Sequence, residues 1–273
     1  MERSGRGCCS SFCGLVLSEL GELDAACAEA MLSRLIKDLL GPRRGEEAGG
    51  EHYYALMGRI HDAMRPGTYV EIGIDDGSSL DLVAAGTRAI GIDPQPRLRD
   101  PLPENVRVFA QTSDAFFAQH DVEAELGGRK IDLAFIDGLH LFEFALRDFM
   151  NLERHCTPDS TILMHDCYPL DERTSARERT TAFWTGDVWR ALVALREQRP
   201  DLAIATVAAP PSGLAIIRRL DPRSSLLHER YEQIVQTYMA RPYAQIAGRK
   251  AKALNLVPAQ WRVVASLLKD RLT

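Results

Sequence analysis

Two aspartates in this chain stand directly behind apolar runs: Asp137 after Leu133-Ala134-Phe135-Ile136, and Asp166 after Ile162-Leu163-Met164-His165. Each run reads as a buried strand, so each carboxylate is delivered to a strand end where a sheet opens to solvent. Two carboxylates brought to one small site repel unless a cation or a proton lies between them. With oxygen donors the natural cation is Mg²⁺. His140 follows Asp137 on the turn that enters a helix, and a nearly neutral imidazole is the usual base for an alcohol proton. This set would take the proton from a hydroxyl held beside a cation and free its oxygen to attack an electrophile. Plainer roles stay open. Asp137 could accept from backbone N–H groups or orient a cofactor, and His140 and Asp166 could cap turns. His165 alternates with Asp166 along the strand, so its side chain points the other way, toward packing or toward support of the acids.

A second motif is Tyr69-Val70-Glu71-Ile72-Gly73-Ile74-Asp75-Asp76-Gly77-Ser78-Ser79. A buried strand runs into a glycine turn that opens a helix. Gly73 and Gly77 let backbone approach a ligand closely, and the helix start offers free N–H groups. The spacing is G-x-x-x-G, not the G-x-G-x-x-G of a dinucleotide site. Asp75 and Asp76 would repel a pyrophosphate and suit a cofactor carrying a sulfonium and an ammonium. Asp93 ends the next strand, about 20 residues on, where an acid accepts both hydroxyls of a ribose.

The elements that must position these residues alternate. Strands are expected at Thr68–Ile72, Arg88–Ile92, Val106–Ala110, Ile131–Ile136, Thr161–Met164, Ala203–Val207 and Leu214–Ile217, with helices at Ser79–Ala85, Asp114–Leu126, Leu141–His155 and Gly186–Arg199. Such alternation predicts an α/β fold with a doubly wound, mainly parallel seven-stranded sheet. Only Ala209-Pro210-Pro211-Ser212-Gly213 separates the last two strands, too little for a parallel crossover, so they close the sheet as an antiparallel hairpin. Helices are expected at Leu15–Leu40 and Tyr53–Met64, and beyond Arg219 with Leu226, Leu227, Tyr231, Ile234, Val235 and Tyr238 on one face, then at Pro258–Leu272. The chain thus divides into a helical segment and linker (1–50), a central α/β domain (51–219) and a helical extension (220–273). The extension could cap the sheet, close over a substrate or form a homodimer seam.

Five βα units closed by a hairpin, with Glu71, Gly73, Gly77 and Ser78 in the first turn, Asp93 after the second strand and Ser113-Asp114 after the third, resemble the class I S-adenosylmethionine-dependent methyltransferases. The resemblance spans roughly residues 68–219. It implies that Glu71, Gly73, Gly77, Ser78, Asp93, Ser113, Asp114 and Asp137 hold S-adenosylmethionine, with adenine at Ser113 and Asp114. The D-x-x-H of Asp137 and His140, with Asp166 downstream, is similar to the metal-dependent sugar O-methyltransferases of macrolide pathways, within the methyltransferase family 24 grouping. That likeness implies Asp137 and Asp166 as metal ligands, His140 as base, and a small-molecule acceptor such as a sugar or secondary metabolite. Catechol-type relatives carry an Asn after the second acid, whereas Cys167 stands here. The run Trp184-Thr185-Gly186-Asp187-Val188-Trp189 also resembles a family 24 segment. Trp184 and Asp187, with His165, are candidates to line the acceptor pocket. A cofactor-binding protein with other chemistry, or a noncatalytic partner subunit, is the competing reading.

Composition narrows the partners. The formal charge of −5 and a fourth strand ending Ile136-Asp137-Gly138, in place of an Asn/Asp-Pro-Pro-aromatic run, speak against a nucleic-acid substrate. No apolar stretch approaches a membrane span, and Leu15-Val16-Leu17 is too short for a secretory signal, so a cytoplasmic protein is expected. Cys8, Cys9 and Cys13 lack zinc-site spacing.

Overall fold

A computed structural model describes residues 51–99 and 101–269. The expected Leu15–Leu40 helix, the amino-terminal cysteines and the last residues of the chain lie outside them. Helix α1 (Tyr53–Met64) starts at His52, whose side chain accepts from Tyr54 N, and ends on Arg65 in a left-handed conformation before Pro66. It buries Leu56, Met57 and Ile60. Strand β1 (Thr68–Ile72) follows, buried at every position, as a strand covered on both faces must be. Next come β2 (Arg88–Ile92), β3 (Val106–Phe109), α2 (Ser113–Gln119), α3 (Val122–Glu125), β4 (Ile131–Ile136), α4 (Phe142–Glu153) and β5 (Cys156–His165). Helix α5 (Trp189–Gln198), β6 (Ala203–Val207) and β7 (Leu214–Arg218) complete the central part. Four short helices, α6 (Leu226–Glu229), α7 (Tyr231–Met239), α8 (Ala244–Ala247) and α9 (Lys250–Ala253), then lead to β8 (Leu256–Val257) and α10 (Trp261–Lys269).

The sheet runs β3-β2-β1-β4-β5-β7-β6-β8. Strands β1 to β5 are mutually parallel, and β7 is antiparallel to both β5 and β6. Alternate residues of the central strands feed two cores, so both faces need helices. Val70, Ala134 and Ile136 pack with Phe142, Phe149, Trp189 and Tyr238. Tyr69, Leu133 and Phe135 pack with Leu56, Met57, Ile60 and Val264. This is the doubly wound arrangement.

Four details differ from the expected elements. Among the described residues the sheet has eight strands, not seven, because β8 pairs parallel with β6. Thr206 Oγ1 donates to Leu254 O and Asn255 Nδ2 to Ile204 O, holding β8 in place. A two-residue strand leaves no periodicity to read. Strand β5 begins earlier than Thr161 because Pro158 falls where its pairing with β4 shifts register, a position that tolerates proline. The Ser79–Ala85 stretch forms only a 3₁₀ turn at Leu80–Leu82. Ser79, its natural cap, gives its hydroxyl to Glu71 instead. The Asp114–Leu126 stretch breaks at extended His120, and Asp121 starts α3 by accepting from Glu123 N and Ala124 N.

Candidate active site

The strand order reverses between β1 and β4, and ligands of open α/β sheets sit outside the carboxyl ends at such a switch point. Gly73 leaves β1 there with φ 87°, and a Cβ on it would collide with the Asp137 carbonyl. Asp137 N in turn donates to Ile72 O at 2.8 Å. Glycine is required because the two strand ends meet backbone to backbone.

The first turn is held by its own acids. Half-buried Asp93 accepts from Ile74 N and Asp75 N through Oδ2, each at 3.1 Å, and from Gln95 N through Oδ1 at 2.7 Å. Oδ2 is thereby filled, and Oδ1 keeps one acceptor site. Asp75 and Asp76 pair with Arg97 and Arg99. Their charge is met by those guanidiniums, which weakens the expectation that they attract a cationic cofactor. Ser78 N and Oγ both donate to Asp76 Oδ1.

Three expected cofactor contacts are turned elsewhere. Glu71 is fully buried, accepting from Tyr69 Oη at 2.8 Å and from Ser79 Oγ. Burial drives its pKa up to about 8 against those two bonds. It shapes the glycine turn from beneath and has no surface to offer a ligand. Exposed Asp114 is paired with Arg147 of α4. Ser113 Oγ donates to Asp148 Oδ1 at 2.6 Å. Asp148 was not legible as a site residue, yet it lines the same small cavity as Asp137, His140, His165 and Asp166.

A cluster of titratable side chains forms at the ends of β4 and β5. Asp137, His140 and Asp166 each offer a donor atom, all within 4.8 Å of one another. His140 Nδ1 lies 2.8 Å from Asp166 Oδ2, and its Nε2 lies 3.7 Å from Asp137 Oδ1. The shorter contact is not aligned as a hydrogen bond, so His140 Nδ1 is a buried nitrogen with no hydrogen-bond partner. Converging lone pairs of this kind, two carboxylates and one imidazole, suit a divalent cation. His140 and Asp166 both adopt left-handed backbone, φ 59° and 52°, the strained conformation that functional sites hold by surrounding contacts.

His165 is buried behind the acids. Its Nδ1 meets Asp137 Oδ1 at 3.2 Å and its Nε2 meets Ser212 Oγ at 3.2 Å. Tyr53 stacks on it with ring centroids 3.9 Å apart. Burial works against its charged form, but Asp137 and Asp166 outweigh burial and raise its pKa to about 9. His140 is raised in the same way, burial again being overcome by Asp166 and Asp137. Asp166 is held below the ordinary carboxylate range: burial alone would raise it, and His165 with His140 reverses that. His165 therefore braces the acids, with 6 % of its surface exposed.

Asp187 is likewise not a pocket residue. Its fully buried carboxylate accepts from Phe142 N at 2.8 Å and pairs with Arg177. Trp184 lies half-buried against His140. Cys167 is buried with Sγ directed to Met164 O, so it adds no ligand. Tyr53 and Ser212 were missed because a helix start and a hairpin turn far away in sequence bring them to the acids. The Tyr53-Tyr54 pair had no signal beyond an ordinary amphipathic helix.

The doubly wound sheet with its switch point is the fold of solved methyltransferase structures. Residues 70–167 match the family model Methyltransf_24, described as a methyltransferase domain. The structure is similar to cofactor-bound Rv0187 from MTB, at 15% identity and TM-score 0.50 over 80% of this chain and 100% of that one. It is similar to the S-adenosylhomocysteine-bound methyltransferase PaMTH1 of Podospora anserina, at 13% identity and TM-score 0.50 over the same shares. No curated protein sequence matches the chain.

Proposed function

We propose that this chain transfers a methyl group from S-adenosylmethionine to a hydroxyl of a small molecule, with Asp137 and Asp166 as ligands of a divalent cation and His140 as general base. The observation that carries this reading is the convergence of Asp137, His140 and Asp166 within 4.8 Å beside the switch point. Gly73 and Asp93 fit the cofactor, as the close strand ends and the ribose-side carboxylate indicate. Mg²⁺, the cation for oxygen donors, would make a neighbouring hydroxyl more acidic when bound. His140 accepts the hydroxyl proton at a ring nitrogen and Asp166 stabilises the imidazolium that results. His165 holds Asp137 in place through Nδ1. A small acceptor, not a nucleic acid, suits the net charge of −5, and among the described residues no helix is long and apolar enough to cross a membrane.

The test is a product-mass screen for a gain of one methyl on a panel of hydroxylated sugars and catechols, with and without EDTA. His140→Ala should lower turnover by about 10²–10⁴-fold, the usual share of a positioned base, while affinity for S-adenosylhomocysteine stays unchanged. EDTA should abolish turnover. Full activity in EDTA would remove the cation, and full activity in His140→Ala would remove the base.

A further inference from the structure

Three residues of the run Trp184-Thr185-Gly186-Asp187 touch His140. The Trp184 indole lies parallel to the His140 imidazole, with centroids 5.4 Å apart and planes inclined by 5°. Its Nε1 donates to Ala176 O at 2.6 Å, which fixes the indole against rotation. Gly186, at φ 58°, passes so close to the His140 carbonyl that a Cβ would collide with it. Asp187 N donates to that same carbonyl at 3.1 Å. The Asp187 carboxylate then caps α4 at Phe142 N, where Leu141 supplies no side-chain cap, and is anchored by Arg177 Nη1 at 2.9 Å. Thr185 N and Oγ1 tie the run to Thr174 O.

These contacts fix the two freedoms His140 has. Its left-handed backbone, unfavourable for a residue with a Cβ, is held through the carbonyl on one side and through Phe142 on the other. Its ring plane is held by the indole face. An imidazole free to turn about its Cβ–Cγ bond would present carbon as often as nitrogen to an acceptor oxygen. We infer that residues 184–187 form a clamp for His140, with Trp184, Gly186 and Asp187 as positioning residues. The inference rests on the reading of His140 as base.

Two substitutions separate a clamp from simple packing. Trp184→Phe keeps a flat face on His140, and Trp184→Leu keeps apolar bulk without one. With the acceptor identified in the screen above, kcat should fall by about tenfold or more in Trp184→Leu and recover most of the way in Trp184→Phe, since small misplacements of a reacting group are costly. KM, affinity for S-adenosylhomocysteine and Tm should stay near wild type in both. Wild-type kcat in Trp184→Leu, or equal losses in the two variants, overturns the clamp. The proton NMR signal of His140 Cε1–H, assigned by its loss in His140→Gln, gives a reading that needs no acceptor. Stacking on the indole face should place it upfield in the wild-type protein, and Trp184→Leu should move it downfield while His165 stays. A His140 signal at the position of an unstacked histidine overturns the clamp whatever the kinetics. Failure of the base reading has a different signature: His140→Ala turns over normally while the wild-type protein still shows the upfield His140 signal.

Discussion

Asp148 on α4 is buried, with 3 % of its surface exposed, and receives a hydrogen bond from Ser113 Oγ at 2.6 Å. Burial raises its pKa to about 7, outweighing the Ser113 bond. A carboxyl in water titrates near 3.9. An acid whose folded pKa lies above its unfolded value binds its proton more tightly when folded, so stability falls as pH rises between the two values. Below about pH 4 both states are protonated and nothing is lost; above about pH 7 the loss is complete. Asp148→Asn removes the charge and keeps an oxygen for Ser113. It should raise Tm at pH 8 and leave it nearly unchanged at pH 4, as thermal melts at the two values would show. A variant less stable at pH 8 would mean that the ionised carboxylate has a favourable partner there.

At the scale of elements, the ends of α4 and α5 are joined by a buried ion pair. Glu153 accepts from Arg199 Nη1 and Nη2 at 2.9 and 3.0 Å, with the two side chains 5 % and 3 % exposed. Glu153 Oε1 also accepts from Asp221 N at 3.0 Å, bringing in the chain after β7. Removing one partner leaves a buried charge, which costs roughly 3–5 kcal/mol. Arg199→Met should lower Tm by roughly 10 °C at the usual sensitivity of a domain this size. Adding Glu153→Leu should restore most of it, and a double variant no more stable than the single one would show that the pair is not what joins the helices. Neither residue belongs to a motif, which shows where sequence reading stops. Strands β1, β2, β4 and β6 have the expected bounds because most of their positions are apolar and buried. Asp137, His140 and Asp166 were legible because strand ends place them. Asp148, Tyr53, Ser212 and the Glu153–Arg199 pair depend on elements distant in sequence meeting in space. Asp114 and Asp187 fit the pattern of site residues in sequence, but arginines from other elements claim their carboxylates.

At the scale of the whole molecule, the site lies across strand ends that come from the beginning and the middle of the sheet. Asp93 follows β2, Gly73 follows β1, Asp137 follows β4 and Asp166 follows β5, in that spatial order. A ligand that spans them binds only the folded chain, so its binding energy adds to the stability of the sheet as a unit. At a concentration 100 times its dissociation constant the gain is about 2.7 kcal/mol. For a domain of this size that corresponds to a Tm rise of roughly 5–10 °C. S-adenosylhomocysteine should produce this rise, and NAD should not, because G-x-x-x-G at Gly73 and Gly77 does not form a pyrophosphate cradle. Asp93→Ala should reduce the rise, since it loses the carboxylate proposed to accept from the ribose and the bonds that hold Ile74 N and Asp75 N. Because that variant loosens the turn even without ligand, the quantity to compare is the difference between its liganded and unliganded melts. An undiminished difference in Asp93→Ala would place the ribose elsewhere, and no rise in the wild-type chain would remove the switch point as the cofactor site.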